Sequence, residues 1–120
     1  MRRISCLSTL SCVLLLAVAC GNDRAIDDTE VCDSSPLTYR NFGEPFLLDW
    51  CRGCHSSGLP DDMRQGAPLG VDFDDLDRVR AYAPMIVVRA TTATANMPPA
   101  SGPSIEARAL LGEWLSCGAP

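Results

Sequence analysis

Apolar residues in this chain come first as a solid run and later as spaced stripes, and the change marks where folding begins. Leu10 to Ala19 is an apolar run behind a positive Met1-Arg2-Arg3. A charged start followed by a run of this length has the form of an export signal. The run is too short to read as a spanning helix. Gly21 to Val31 is polar and acidic, with almost nothing to bury, and reads as a tether. Beyond it Phe42, Phe46 and Trp50 recur every four residues, with Leu47 and Cys51 in the neighbouring row. That is one face of an amphipathic helix, and Phe42 and Phe46 read as core. Asn41 is placed to cap it, and Glu44 three positions on completes a capping-box pattern. Pro45 is tolerable because it falls in the first turn.

The period then lapses. From His55 to Gly70 the chain is rich in Gly, Pro, Ser and Asp, a loop of about fifteen residues with Leu59 and Leu69 as its expected anchors. A second helix is predicted from near Asp72, with Asp74 and Asp75 in its first turn. Phe73, Leu76, Val79 and Tyr82, three apart, form its face. Pro84 is expected to break or kink it, with Met85 to Thr91 resuming as a short helix. Thr91 to Gly102 is another loop, holding Asn96-Met97-Pro98-Pro99. The last helix runs from Pro103 or Ser104 to Cys117, with Ile105, Ala109, Leu110, Trp114 and Leu115 on its buried face and Gly118 at its end. No strand and no internal repeat stands out, so the expected class is all-α.

These stretches divide the chain into an export signal (1–19), an acidic tether (20–31) and one domain (32–120). The domain is short for an independent core. Ala17-Val18-Ala19 before Cys20 fits two readings: an ordinary signal-peptidase site, or a bacterial lipobox in which Cys20 is lipidated. The lipoprotein reading accounts better for the seven cysteines. Cys6 and Cys12 leave with the signal, Cys20 carries lipid, and Cys51 and Cys54 belong to a motif described next. Cys32 and Cys117 remain, and in an oxidising compartment they are most simply a disulfide. The alternative is two unpaired, small apolar side chains.

The chemistry concentrates in Cys51-Arg52-Gly53-Cys54-His55, a C-x-x-C-H pattern of the kind that attaches a c-type haem. Two thiols one turn apart can add to the two vinyl groups of one porphyrin edge. His55, four beyond Cys51, lies on the same face and can reach the iron. It is the only His in the chain, so ligation by two histidines of one chain is excluded. The sixth ligand is then Met, water or something less usual. Met63 reads as an exposed or gap-filling residue and Met85 as core. Met97 sits in a loop stiffened by two prolines, 42 residues beyond His55, which lets the chain wrap to the opposite haem face. It is the candidate distal ligand, the alternative being a loop Met over a water-ligated iron. Arg89, Arg64, Tyr82 and Trp50 are candidate donors to haem propionates. The acidic run Asp72, Asp74, Asp75, Asp77 lacks the Gly and the distant Glu of a calcium loop, and reads as a solvated helix start.

With these parts in this order, residues from about 40 to 117 resemble a class I c-type cytochrome domain of the bacterial lipoprotein form. Gly43 stands eight residues before Cys51, where the family has a Gly that lets its first and last helices cross closely. The family's aromatic four residues before the first haem Cys is Leu47 here, with Phe46 adjacent. Met97-Pro98-Pro99 looks like the family's distal Met loop, and Trp114-Leu115 like the pair that packs on the first helix. The resemblance implies a small all-helical fold, three main helices plus long loops wrapped around one covalent haem c. It implies one-electron transfer, with no acid–base catalyst.

Charge narrows the partners. From Cys20 onward the chain has fifteen Asp and Glu against eight Arg, a net charge near −7, and it has no Lys anywhere. This argues against a nucleic-acid partner. It suits a redox partner protein or membrane oxidoreductase with a basic or neutral face. An exported lipoprotein would be held to the membrane by its lipid, on the periplasmic side or the cell surface. Three other readings compete. One is a thiol–disulfide oxidoreductase using Cys51 and Cys54, although that chemistry usually sits on a βαβ pattern. Another is a cofactor-free, disulfide-bonded surface lipoprotein. The third is a haem protein that senses or reduces a small ligand at an open iron.

Overall fold

A computed structural model describes residues 28–100 and 102–120 of the chain. The expected export signal (1–19) and the expected lipidation site Cys20 lie outside the described residues. Among the described residues every regular element is helical. None of these helices is long and apolar enough to cross a membrane.

The first helix, α1, spans Asp28–Ser34, so the last part of the stretch expected to be tether is helical. Asp28 and Glu30 sit in its first turn, where the helix dipole favours negative charge. Its Cys32 is joined to Cys117 by a disulfide, which ties α1 to the end of the chain. The Ser35 hydroxyl then donates to Glu113 Oε1 at 2.6 Å.

The helix expected from Asn41 starts earlier. Thr38 is its cap: Thr38 Oγ1 accepts from the Asn41 N–H at 3.2 Å, and Asn41 Oδ1 accepts from the Thr38 N–H at 2.8 Å. Asn41 is therefore the third residue of the capping box and not its first, which overturns the expected Asn41–Glu44 pairing. A wide turn, Tyr39–Gly43, leads directly into α2, Glu44–Trp50, with Pro45 in its first turn. Phe46 and Leu47 are buried, as the stripe predicts, while Trp50 at the end of the helix is 39 % exposed.

Helix α3 spans Leu76–Ile86. Its cap is Asp75, whose Oδ1 accepts from the Arg78 N–H at 2.9 Å, so the expected start near Asp72 falls too early. Val79 is fully buried and Leu76 and Tyr82 half-buried on the expected face. Pro84 does not stop the helix. It removes one N–H, and within three residues the chain relaxes into a second wide turn, Val87–Thr91. The Val87 N–H at that junction bonds the carbonyls of both Ala83 and Pro84.

Helix α4, Ile105–Ser116, is capped by the Ser104 hydroxyl, which accepts from the Ala107 N–H at 3.2 Å. Its buried face is Leu111, Trp114 and Leu115. Ile105 and Leu110, expected inside, are 78 % and 41 % exposed, and Ala109 is exposed too. Gly118, at φ +83°, ends the helix, and the Ala119 N–H closes back on the Trp114 carbonyl at 2.9 Å.

Trp114 is the centre of the core. It is fully buried, with Phe42 edge-on at 6.1 Å and Tyr39 stacked at 6.4 Å. A Cβ on Gly43 would lie 2.3 Å from Trp114 Cζ2, so the approach of α2's entry turn to α4 needs a residue with no side chain.

The long loop after His55 is held mainly by a buried charge, with Leu59 only half-buried. Leu69, an expected anchor, is 69 % exposed. Arg64 is instead 1 % exposed. It donates to the carbonyls of Ser56 (2.6 Å), Ala67 (3.2 Å), Pro68 (2.8 Å) and Val71 (3.2 Å). Its charge is met by Asp72 at 2.7 Å, an ionic contact without hydrogen-bond alignment, because the donors of that nitrogen already serve carbonyls. A buried charge needs both a counter-charge and hydrogen-bond partners, which Arg64 finds in Asp72 and the four carbonyls.

Candidate functional site

The turn Cys51–His55 continues directly from the end of α2. The Cys51 N–H still bonds the Leu47 carbonyl, at 3.0 Å. The Cys51 carbonyl then accepts from the N–H of Cys54 (3.1 Å) and of His55 (2.9 Å). One tight turn thus gathers both thiols and the imidazole. Cys51 and Cys54 are free thiols, each half-buried. Burial, reinforced by the neighbouring Cys54, pushes the Cys51 thiol up to about 12.

Asp74 braces this turn against the start of α3. Its Oδ2 accepts from the Ser57 N–H at 2.6 Å and its Oδ1 from the Ser56 hydroxyl at 2.7 Å. Arg52 lies 3.3 Å away. Burial acts to raise the Asp74 carboxyl, but the hydrogen bonds from Ser57 and Ser56, with Arg52, outweigh it and hold it down at about 2.

His55 is oriented on two sides. Its ring stacks on Phe73, with centroids 4.8 Å apart. Its Nδ1 is 2.9 Å from the Val71 carbonyl. A carbonyl can only accept, so Nδ1 carries the proton and Nε2 keeps the lone pair in the neutral ring. The same Val71 carbonyl accepts from Arg64, so the buried arginine and the imidazole share one fixed acceptor.

The turn opens onto a cleft of about 510 Å³, within the range of small-molecule and cofactor sites. Its walls are mostly apolar. Phe46 and Trp50 come from α2, Val71 and Phe73 from the chain before α3, and Tyr82, Met85 and Ile86 from α3. Cys51, Cys54, His55 and Met97 all line it, together with Pro98 and Pro99. The four residues singled out for haem attachment and ligation therefore share one cavity. Met97 is 38 % exposed at its rim, in a loop whose Met97–Pro98 peptide is cis. The Met97 N–H bonds the Arg89 carbonyl at 2.9 Å.

Some expected roles change. Met85, expected in the core, is 55 % exposed and lines the cleft. Arg64, a candidate propionate donor, lines the cleft but has its guanidinium committed to backbone carbonyls and Asp72. Tyr82 donates to the Gly70 carbonyl at 3.3 Å. Arg89 and Trp50 both line the cleft and carry no recorded side-chain hydrogen bond among the described residues. Three contributions were missed in the sequence: the Val71 carbonyl, the brace at Asp74, and Arg108, whose guanidinium reaches the Met97 carbonyl. A backbone acceptor and a helix-start aspartate leave no pattern that distinguishes them from their neighbours.

The donor set suits a covalent haem. Two unpaired thiols, one imidazole with a fixed lone pair and one thioether face an apolar space. Among the described residues no three His, Cys, Asp or Glu side chains are arranged to hold a metal ion by themselves. Comparison with protein-family models, with curated proteins and with solved structures finds no match to this chain.

Proposed function

We propose that the chain is a monohaem c-type cytochrome, an exported, lipid-anchored carrier of single electrons. One observation carries the reading: Cys51, Cys54, His55 and Met97 line the same apolar cleft. Haem c, when bound there, would supply a one-electron iron couple whose potential follows its axial ligands. Cys51 and Cys54 would hold the group through thioether bonds. His55 would ligate through Nε2, its orientation fixed in advance by the Val71 carbonyl and Phe73. Met97 would offer its thioether sulfur as the second protein ligand. Arg89 and Trp50 have donors free for propionates. With the group in place the apolar walls would limit water around it, which would keep reorganisation around a changing charge small. No general acid or base is needed. The acidic surface suits a redox partner protein or membrane oxidoreductase with a basic or neutral face.

The thiol–disulfide alternative asks for a stabilised thiolate, and a Cys51 thiol raised to about 12 works against it. A cofactor-free lipoprotein leaves the cleft without a use.

The test is direct. The full chain is expressed in a periplasm together with cytochrome c maturation proteins, then denatured and extracted with acid acetone. Haem that stays with the polypeptide is the expected result, and haem that is extracted or never bound rejects the reading. Met97→Ala in the loaded protein should abolish the weak long-wavelength absorption of a thioether-bound ferric iron. An unchanged spectrum would remove Met97 from the metal.

A further inference from the structure

Like Arg64, Arg108 is spent on backbone carbonyls beside the cleft. Arg108, near the start of α4, donates from Nη1 to the Ala90 carbonyl at 2.5 Å and to the Met97 carbonyl at 2.7 Å. Its Nε donates to the Pro103 carbonyl at 3.3 Å. Three segments meet on one guanidinium: the wide turn after α3, the Met97 loop and the entry to α4. Gly102 makes the room, since a Cβ there would lie 2.3 Å from Arg108 Nη2.

Met97 has little else to hold it. Its side chain is 38 % exposed and stands outside the buried core. Its backbone is tied at both ends. The N–H goes to the Arg89 carbonyl and the C=O to Arg108. The first bond is between neutral groups. The second is charge-assisted and stronger, and it is the only one of the two that a side-chain substitution can remove.

We infer that Arg108 is the positioning residue for Met97, setting how firmly that thioether stays on the iron. The inference rests on the reading of Met97 as an axial ligand. Arg108 touches neither the metal nor the porphyrin in this account. It acts through the loop backbone. When the loop is loosened, the fraction of molecules with an open sixth position rises. An added ligand then binds with an apparent affinity that rises in proportion.

The experiment uses the haem-loaded full chain and imidazole as probe. Arg108→Met should bind imidazole to the ferric form about ten-fold more tightly than the parent, the change expected for losing one charge-assisted hydrogen bond. It should also lose intensity in the long-wavelength thioether band and lower the reduction potential. Arg108→Lys, which keeps a charge but loses the Nε donor to Pro103 and the planar guanidinium, should fall between. Arg80 is the control. It also donates to carbonyls, those of Gly118 and Ala119, but at the far end of α4. Arg80→Met should leave imidazole affinity and the band at parental values. If Arg108→Met folds poorly, Gly102→Ala crowds the guanidinium, and Pro98 Cδ of the same loop more lightly, and should shift imidazole affinity in the same direction. Parental imidazole affinity in both the Arg108→Met and Gly102→Ala proteins overturns the inference. So does an equal shift in Arg80→Met, which would mark a general loss of stability. If Met97→Ala itself fails to raise imidazole affinity, the ligand reading and this inference fall together. A response to Met97→Ala without one to Arg108→Met rejects this inference alone.

Discussion

Gly43 lies directly against Trp114, where the entry to α2 crosses α4. The indole ring occupies the space where any β-carbon would stand, and Trp114 has no free surface into which to retreat. Gly43→Ala should therefore cost about 2–3 kcal/mol, the upper part of the range for overpacking a filled core. In a domain this size that lowers the melting temperature by roughly 10–20 °C. A thermal scan showing a shift below a few degrees would mean that the two segments can slide apart cheaply. His55 has a different kind of constraint. It is held by one loop carbonyl and by the face of the buried Phe73, so its orientation depends on the loop through Val71 and on the core through Phe73.

Among the elements, Asp74 joins the motif turn to α3. Its folded carboxyl sits at about 2, below the roughly 3.9 of an unconstrained aspartate. The sign follows from linkage. The stabilisation from its charged form is complete above about pH 4 and is lost as pH falls through about 2. Asp74→Asn should be less stable than the parent at pH 7, and the gap should close between about pH 4 and 2. Urea midpoints measured across that range test this, and a gap independent of pH would show that the brace does not depend on charge. This scale also shows what could be read from the chain before folding. The helical stripe through Phe46 and Leu47 and the stop at Gly118 follow from local spacing and chemistry, and they stand as expected, whereas the last helix begins at Ile105 with Ser104 as its cap, which leaves Pro103 outside the first turn. The faces were harder. In α4, Leu110 and Leu111 are adjacent, and only packing against the wide turn after α3 decides that Leu111 goes inside. Starts slipped where two cap residues competed: Thr38 over Asn41, and Asp75 over Asp72. Asp72 was unavailable as a helix start because Arg64 pairs with it, and a pair eight residues apart across a loop leaves no periodic trace. The cleft residues were legible because their chemistry is carried by rare side chains. Those that position them act through backbone carbonyls, which every residue possesses.

At the scale of the whole molecule, the Cys32–Cys117 bond closes a separation of 85 residues and encloses nearly the full fold. Removing loop entropy on that scale is worth about 4–5 kcal/mol in a chain-entropy account. The double variant Cys32→Ser, Cys117→Ser should lose about 2–5 kcal/mol, measured from urea unfolding of the full chain. A loss under 1 kcal/mol would indicate that the unfolded chain is already compact. The stabilisation matters because the described core is small, with its largest apolar contacts gathered around one tryptophan.

A wall fastened by buried charge stands whether or not anything lies against it. Arg64 draws Ser56, Ala67, Pro68 and Val71 onto one guanidinium and pairs with Asp72, and none of these bonds involves an occupant of the cleft. Ordering backbone costs on the order of 1–2 kcal/mol per residue. For this loop that cost falls on folding, not on the encounter with a ligand. Preorganisation of this kind leaves more of the interaction free energy available as affinity. The same fixed Val71 carbonyl means that the neutral imidazole carries its proton on Nδ1 and its lone pair on Nε2.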